Sequence, residues 1–431
     1  MARFILRSRN ASQIAGLATP RRRMRPQDRE RQVEELVTLR RQEQSETKLA
    51  AWLGEAVKET VVVGSAVPSF GKVLAKKARR VPAAKRLPAR ARAKCYTLPI
   101  TGFTIAEMPP EAAEKMRKDL PEFEIFEDQP LSLIQPMPSA ATAIASNDSA
   151  WVLKLVTADV ARTAGLTGAG VTVAVLDTGI DESHPELAGK VVSAVTFAQA
   201  SGAPAPMTPS ADTHYHGTHV AGIIAGRTLG VAPGVALYSA VMIPNGSGWT
   251  SDFVAAMEWA ASIPAIQIVN MSAGLAGFHP EMLGAARDLM QTGILPIFAI
   301  GNEGRGTSRS PGNYDAPLSV GACDESRKVA SFSGGGTIVI DNQQHTVPDL
   351  VAPGVDVYSS VPNGQFRHLD GTSMATPVVA AVAALLLEKH PDATNLDLID
   401  ALLTSCVDLG YPEDRQGKGL VSFAGADARL P

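Results

Sequence analysis

The strongest constraint in this sequence is an alternation that begins near Trp151. Short apolar runs at 171–176, 236–242, 266–271, 294–300 and 318–320 are too continuous for half-solvated strands, and they read as strands buried on both faces. Stretches with helical spacing separate them, at 217–226, 251–262, 280–292 and 372–389. This alternation predicts a three-layer α/β domain, a doubly wound and mostly parallel sheet with helices on both sides. In such a sheet functional groups collect at the carboxyl ends of the strands.

The 431 residues leave room for a smaller unit ahead of that domain. With 45% hydrophobic and 19% charged residues, the chain is globular rather than disordered. Its net charge of −3 hides a split. Residues 1–100 hold 23 Lys and Arg against 8 Asp and Glu, and the remainder holds 17 against 35. Opposite halves attract, although a basic leading segment also suits nucleic acid or an anionic membrane, and charge alone does not choose. Cys95, Cys323 and Cys406 are scattered and odd in number, which argues against a disulfide framework or a metal cluster. A secretory leader needs an apolar run of roughly 7–15 residues. Here Arg3 is followed by only Phe4-Ile5-Leu6 before Arg7, and Arg21–Arg23 lead to Met24-Arg25-Pro26. No window approaches a membrane-spanning length. The expectation is a cytoplasmic protein, with secretion by a route the sequence does not display as the alternative.

Four segments follow from composition and spacing. Residues 1–58 read as a basic, partly helical extension, with Val33, Leu36, Leu39, Leu49, Trp52 and Leu53 at helical spacing over 27–57. It is either a docking arm or the site of a regulatory partner. Residues 59–134 read as a compact α+β unit in the order β-α-β-β-α-β. The strands fall at 60–63, 95–98, 103–106 and 123–127, and the helices at 70–80 and 111–120, the latter opened by Pro109-Pro110. Residues 135–150, rich in Pro, Ala, Ser and Thr, read as a protease-accessible linker, and 151–431 form the α/β domain.

Three motifs lie in the α/β domain. In Val173-Ala-Val-Leu-Asp177-Thr-Gly-Ile-Asp181 a carboxylate follows directly on a strand, a place also suited to a turn or helix cap. In His214-Tyr-His216-Gly-Thr-His219 the histidines are not four apart, and Tyr215, Thr218 and Val220 stand where a helical zinc pair would be completed. In Gly371-Thr-Ser373-Met-Ala-Thr-Pro377 a serine opens a helix whose first turn is expected to tolerate the proline; a plain N-cap is the alternative.

Together the three motifs resemble those of the subtilisin-like serine proteases (subtilases), from about Trp151 to about Ala426 and in that family's chain order Asp, His, Ser. The resemblance implies a polypeptide substrate and a triad in which Ser373 attacks, His216 carries the proton and Asp177 orients the imidazole. Asn302, in Ala299-Ile300-Gly301-Asn302, matches the side-chain oxyanion donor. Gly246, Ser247, Gly248 and Ser272, Ala273, Gly274 resemble the two edges that pair with an extended substrate, with Ala299, Ile300 and Gly301 beside them. Arg309 is expected near the base of the pocket for the residue before the cut, with Glu303 at its rim; there it would favour acidic or polar side chains, and an arginine that simply faces solvent is the preferred alternative. Residues 59–134 resemble the family's inhibitory propeptide, a small ferredoxin-like α+β domain acting as an intramolecular inhibitor, with residues 129–135 near the triad and self-cleavage between about Leu133 and Asn147. Many relatives bind calcium through an insertion after the histidine helix, and residues 225–232 cross directly to the next strand; Asp181 matches one ligand, but a lone carboxylate does not make a site, so no cofactor is expected, with calcium as the alternative. A catalytically silent binding scaffold is the alternative from another class, and nucleic-acid binding is disfavoured.

Overall fold

The computed structural model describes residues 2–9, 26–45, 49, 64–65, 95–98, 100–138, 149–197 and 204–431. The strand expected at 60–63 and the helix expected at 70–80 lie outside them.

The larger sheet has eight strands. In chain order they are β8 (Thr172–Asp177), β9 (Val191–Thr196), β10 (Ala205–Pro206), β11 (Ala236–Val241), β13 (Ile268–Met271), β15 (Leu295–Ala299), β17 (Leu318–Cys323) and β20 (Leu350–Pro353). Across the sheet they run β10-β9-β11-β8-β13-β15-β17-β20, and every pairing is parallel except β10 with β9. Alternate residues divide between two cores, as strand geometry requires. Val173 and Val175 face one core with helices α3 (His216–Ala225) and α6 (Thr372–Lys389), whereas Ala174 and Leu176 face the other with α4 (Thr250–Ser262) and α5 (Leu283–Gln291). This is the expected three-layer α/β arrangement. Among the described residues α6 alone is long and apolar enough to cross a bilayer, but it lies buried inside the protein.

The N-terminal unit departs from its expected boundaries. Its sheet is ordered β2-β3-β4-β1-β5, with β1 (Ala2–Ser8), β2 (Gly64–Ser65), β3 (Cys95–Thr97), β4 (Phe103–Met108) and β5 (Phe123–Glu127). Strand β1 pairs antiparallel with both β4 and β5, so residues 2–8 belong to this sheet and not to an extension outside it. The order β-α-β-β-α-β is supplied by β1, α1 (Pro26–Ser45), β3, β4, α2 (Pro110–Asp119) and β5. The reason lies in the alternation of Arg3-Phe4-Ile5-Leu6-Arg7. Phe4 and Leu6 pack against Ala113, Met116 and Leu120 on the outer side, while Ile5 faces the core shared with α4 and α5. Arg3 and Arg7 share the Ile5 face. The buried Arg7 Nη2 meets Asp288 Oδ2 on α5 at 2.9 Å. A Cβ on residue 284 would fall 0.9 Å from Arg7 Nη1, so Gly284 leaves the guanidinium its place.

The remaining strands form smaller sheets. They are β6 (Pro130–Leu133), β7 (Met137–Pro138), β12 (Ser247–Trp249), β14 (Ala273–Ala276), β16 (Arg309–Ser310), the hairpin β18 (Gly336–Ile340) and β19 (Gln343–Val347), and the pair β21 (Val357–Val361) and β22 (Gln365–Asp370).

Candidate functional site

Asp177 is the last residue of β8, near the middle of the large sheet, and its side chain is fully buried. His216 is the first residue of α3, which reaches the same end of the sheet because two glycines allow a close approach. A Cβ on Gly217 would lie 2.0 Å from Gly179 O, and one on Gly179 would lie 2.1 Å from Ala211 O. His216 Nδ1 then stands 2.8 Å from Asp177 Oδ1 and 3.0 Å from Oδ2. Donation from Nδ1 leaves Nε2 as the lone-pair nitrogen of the neutral ring. Nε2 is buried and has no hydrogen-bond partner.

Ser373 is the second residue of α6 and is fully buried. The helix begins at Thr372, which puts Pro377 in its second turn rather than the first, as the sequence reading had it. Four residues after Ser373, a proline removes the N–H that would bond the Ser373 carbonyl. The Ser272 hydroxyl donates to that carbonyl instead, at 3.4 Å. Asn302 follows β15. Its Oδ1 accepts from Thr372 N and Thr372 Oγ1, both at 2.9 Å, which turns Nδ2 outward into the cleft.

A stretch of the chain itself fills that cleft. Strand β6 lies between β12 and β14, antiparallel to both, with Ser132 opposite Ser247 and Gly274, Leu131 opposite Gly248, and Leu133 opposite Ala273. Beyond β6, the Ser373 hydroxyl donates to Ile134 O at 3.2 Å and Asn302 Nδ2 to Gln135 O at 3.0 Å. Farther on, β7 pairs with β22. The hydroxyl and the amide thus engage consecutive carbonyls, and the Ser373 hydroxyl bonds to Ile134 and not to His216.

The other sequence-predicted residues fall as follows. Gly246 borders Leu133; a Cβ there would sit 3.7 Å from Leu133 Cβ. Ala299, Ile300 and Gly301 lie beside β16, where Arg309 N donates to Ile300 O. Arg309 does not offer a free cation: Nε and Nη2 donate to Glu303 Oε1 at 2.8 and 2.5 Å. His219 Nε2 lies 3.0 Å from Arg367 O, and burial pushes its pKa down to about 3. Asp181 Oδ1 accepts from Ser183 N and Oγ, and Oδ2 accepts from Asn363 N. In the loop after α3, Glu186 takes the donors, accepting Thr228 N, Thr228 Oγ1 and Leu229 N. Among the described residues no group of three His, Cys, Asp or Glu is placed to hold a metal.

Several residues were not singled out from sequence. Asp212 accepts from Thr178 Oγ1, His214 N, Thr218 N and Thr218 Oγ1, and so braces the turn after Asp177 against the first turn of α3; burial raises its pKa. Its signal was a carboxylate four residues before His216, close to a helix start. Asp128 caps α4 from outside, and the buried Glu258 accepts Ile100 N and Thr101 N, both at 2.8 Å. Neither has a local signal, because both partners are distant in sequence.

The Subtilase family model matches residues 168–423. Subtilisin E of Bacillus subtilis (strain 168) is 38% identical over 272 residues, covering 61% of this chain and 67% of that protein. Subtilisin of Bacillus pumilus is 38% identical over 272 residues, covering 61% of this chain and 92% of the relative. Subtilisin Savinase of Lederbergia lenta is 37% identical over 283 residues, covering 64% and 97%.

Proposed function

The chain belongs to the subtilase family, and from that premise we propose that it is a serine endopeptidase that cuts extended polypeptide segments and is made as a self-inhibited precursor. Ser373 Oγ attacks the scissile carbonyl, His216 Nε2 takes the proton and passes it to the leaving amine, and Asp177 holds the ring and stabilises the imidazolium. Asn302 Nδ2 and the Ser373 N–H receive the oxyanion. A donor of this kind lowers the barrier by about 2.7–4 kcal/mol, a figure measured on subtilisin itself.

One observation carries the reading. A buried Asp177–His216 pair with an unpartnered Nε2 lies at the same sheet end as a hydroxyl and an amide that touch consecutive carbonyls of one extended segment. Residues 2–138 act as the inhibitory propeptide, with 130–138 lying through the cleft. Because nucleophile and amide engage different carbonyls, the pose is a resting one, and self-cleavage follows a shift or falls beyond the segment, before about Asn147. The three hydrogen bonds that Asp181 already accepts and the Glu186 contacts in the short loop favour a site that takes no calcium.

A fluorophosphonate probe should label wild-type protein at Ser373, and Ser373→Ala and His216→Ala should each abolish peptide hydrolysis. Sequencing the N-terminus of active enzyme locates the cut. If wild type and Ser373→Ala both persist at full precursor size, self-processing is wrong.

A further inference from the structure

Resting on the endopeptidase reading above, we propose that the Arg309–Glu303 pair plugs the slot meant for the substrate side chain just before the cut, so that the enzyme selects short aliphatic side chains there and turns away aromatic and long charged ones. The residue whose carbonyl meets Ser373 is Ile134. Side chains alternate along an extended segment: Leu131 and Leu133 enter the apolar core on one face, which leaves Ser132 and Ile134 on the other. Arg309 stands on that second face, with Nη1 3.3 Å from Ser132 Oγ.

Two backbone walls bound the slot, β14 at Gly274 and the segment 299–301. Arg309 is bonded to both, pairing with Ala276 of β14 and donating its N–H to Ile300 O at 2.9 Å. Its side chain rises between the glycines. A Cβ on Gly274 would lie 3.4 Å from Arg309 Cβ, and one on Gly301 would lie 3.2 and 3.5 Å from Arg309 Cγ and Cδ. The guanidinium is already engaged, with Nε and Nη2 on Glu303 Oε1 and Nη1 on Gly274 O at 2.8 Å. Glu303 Oε2 in turn accepts Asn302 N at 3.0 Å, which ties the plug to the oxyanion donor. The pair has no net charge and its fork is occupied, so an acidic side chain gains little from it, contrary to a simple reading of an arginine at this place. The space left is gauged by Ile134, a branched four-carbon side chain that is entirely buried.

Purified enzyme is assayed on matched peptides that differ only before the cut: Val, Ile, Phe, Lys and Glu. Wild type should favour Val and Ile over Phe by at least about tenfold in kcat/KM, and Arg309→Ala should raise Phe relative to Val by about 10–200-fold. Glu303→Gln, which frees the fork, should raise Glu relative to Ile. Wild-type preference for Phe, or superimposable profiles for wild type and Arg309→Ala, would overturn the proposal. A second measurement needs no turnover. In full-length Ser373→Ala protein, Ile134→Phe should lower Tm, and Arg309→Ala should relieve most of that loss; equal tolerance in both backgrounds means an open slot. A chain that cuts no peptide yet shows this coupling loses the endopeptidase reading and keeps the slot.

Discussion

Asp128 lies between β5 and β6, where the N-terminal sheet hands the chain to the cleft, and its removal should loosen that hold by a predictable amount. Helix α4 has no side-chain cap of its own at Trp249. The Asp128 carboxylate, buried, accepts Ser251 N at 2.8 Å, Ser251 Oγ at 2.7 Å and Thr250 Oγ1 at 2.6 Å, and pairs with Arg3 Nη1 at 3.2 Å. Loss of an N-cap costs about 1 kcal/mol, and each buried donor left without its charged acceptor costs about 1–3 kcal/mol. Because these donors share one carboxylate the terms do not add fully, and Asp128→Ala should weaken docking by about 3–5 kcal/mol. At 1.4 kcal/mol per decade this is about two to three and a half decades in the closed-to-open ratio. Ser373 is buried beneath Ile134, so a fluorophosphonate probe reaches it only from the open form, and with fast reclosing the labelling rate follows the open population. Full-length Asp128→Ala should therefore label about 100- to 3,000-fold faster than wild type, and Asp128→Asn, which keeps one acceptor, should fall between. A rate within threefold of wild type would mean that residues 130–138 leave the cleft on their own, without help from the docked sheet.

Burial first, and then Asp128, raises the Asp252 carboxyl to about 7; burial raises Glu258 to about 7 as well. Both acids hold a proton more tightly in the folded chain, so the stability they contribute is full below the ordinary values of 3.8 and 4.5 and weakens as pH climbs to about 7; the part of that burial supplied by residues 2–138 makes docking weaken over the same window. Opening free energies from amide exchange in β6 should fall over that window, with a smaller fall in Glu258→Gln; a rise with pH contradicts the assignment. Burial works to raise the Glu186 carboxyl, but the Thr228 hydroxyl and the Thr228 and Leu229 amides outweigh it and hold it low. Glu186→Gln should cost about 1–3 kcal/mol, lowering Tm by about 2–4 °C per kcal/mol, and calorimetry should find wild-type stability unchanged by a calcium chelator. Raising NaCl from 0.05 to 0.5 M should slow reclosing after a pH jump while changing opening little, because screening acts on exposed charge and hardly on buried pairs; equal salt sensitivity of both rates refutes that division.

The large sheet was legible because burial on both faces writes itself as uninterrupted apolar runs. The stretches at 171–176, 236–242, 266–271 and 294–300 appear as β8, β11, β13 and β15 within a residue or two. Strand β9 was not, since Val191, Ser193 and Thr196 are only half-buried and Val192 is exposed near the sheet edge, and β20 was missed because it is four residues long and ends in a proline. The cleft residues were legible as motifs, yet the state of Arg309 was not, because its partner Glu303 and its walls at Gly274 and Gly301 meet only in the folded chain. Strand β1 was overlooked for a different reason. Three apolar residues between arginines are too few for a leader, but alternation places Phe4 and Leu6 on one face and Arg3, Ile5 and Arg7 on the other, which suits a central strand whose second face is buried against α4 and α5 through one apolar and two charged side chains.

The charge split and the docking contacts act at different ranges. The excess of basic residues over 1–100 produces a field that falls off within a Debye length of about 10 Å at 0.1 M salt, enough to guide approach but not to fix register. Register is set by side chains that lose water on docking. Arg3 reaches Ser251 and Asp128, Arg7 reaches Asp288, and the buried Arg29 donates to Pro264 O and Ile266 O. Burial lowers the Arg29 pKa to about 9; among the described residues Nη1 finds two carbonyls and no counter-charge, while Nε and Nη2 are buried without a partner. A buried guanidinium is costly to move away from the partners it has, and a one-residue slip of β1 would turn Arg3 and Arg7 into the apolar layer beneath α2 and bring Phe4 and Leu6 to the charged face. The buried arginines therefore penalise every register but one, and that register leads the chain from β5 through Asp128 into the cleft with Ile134 over Ser373.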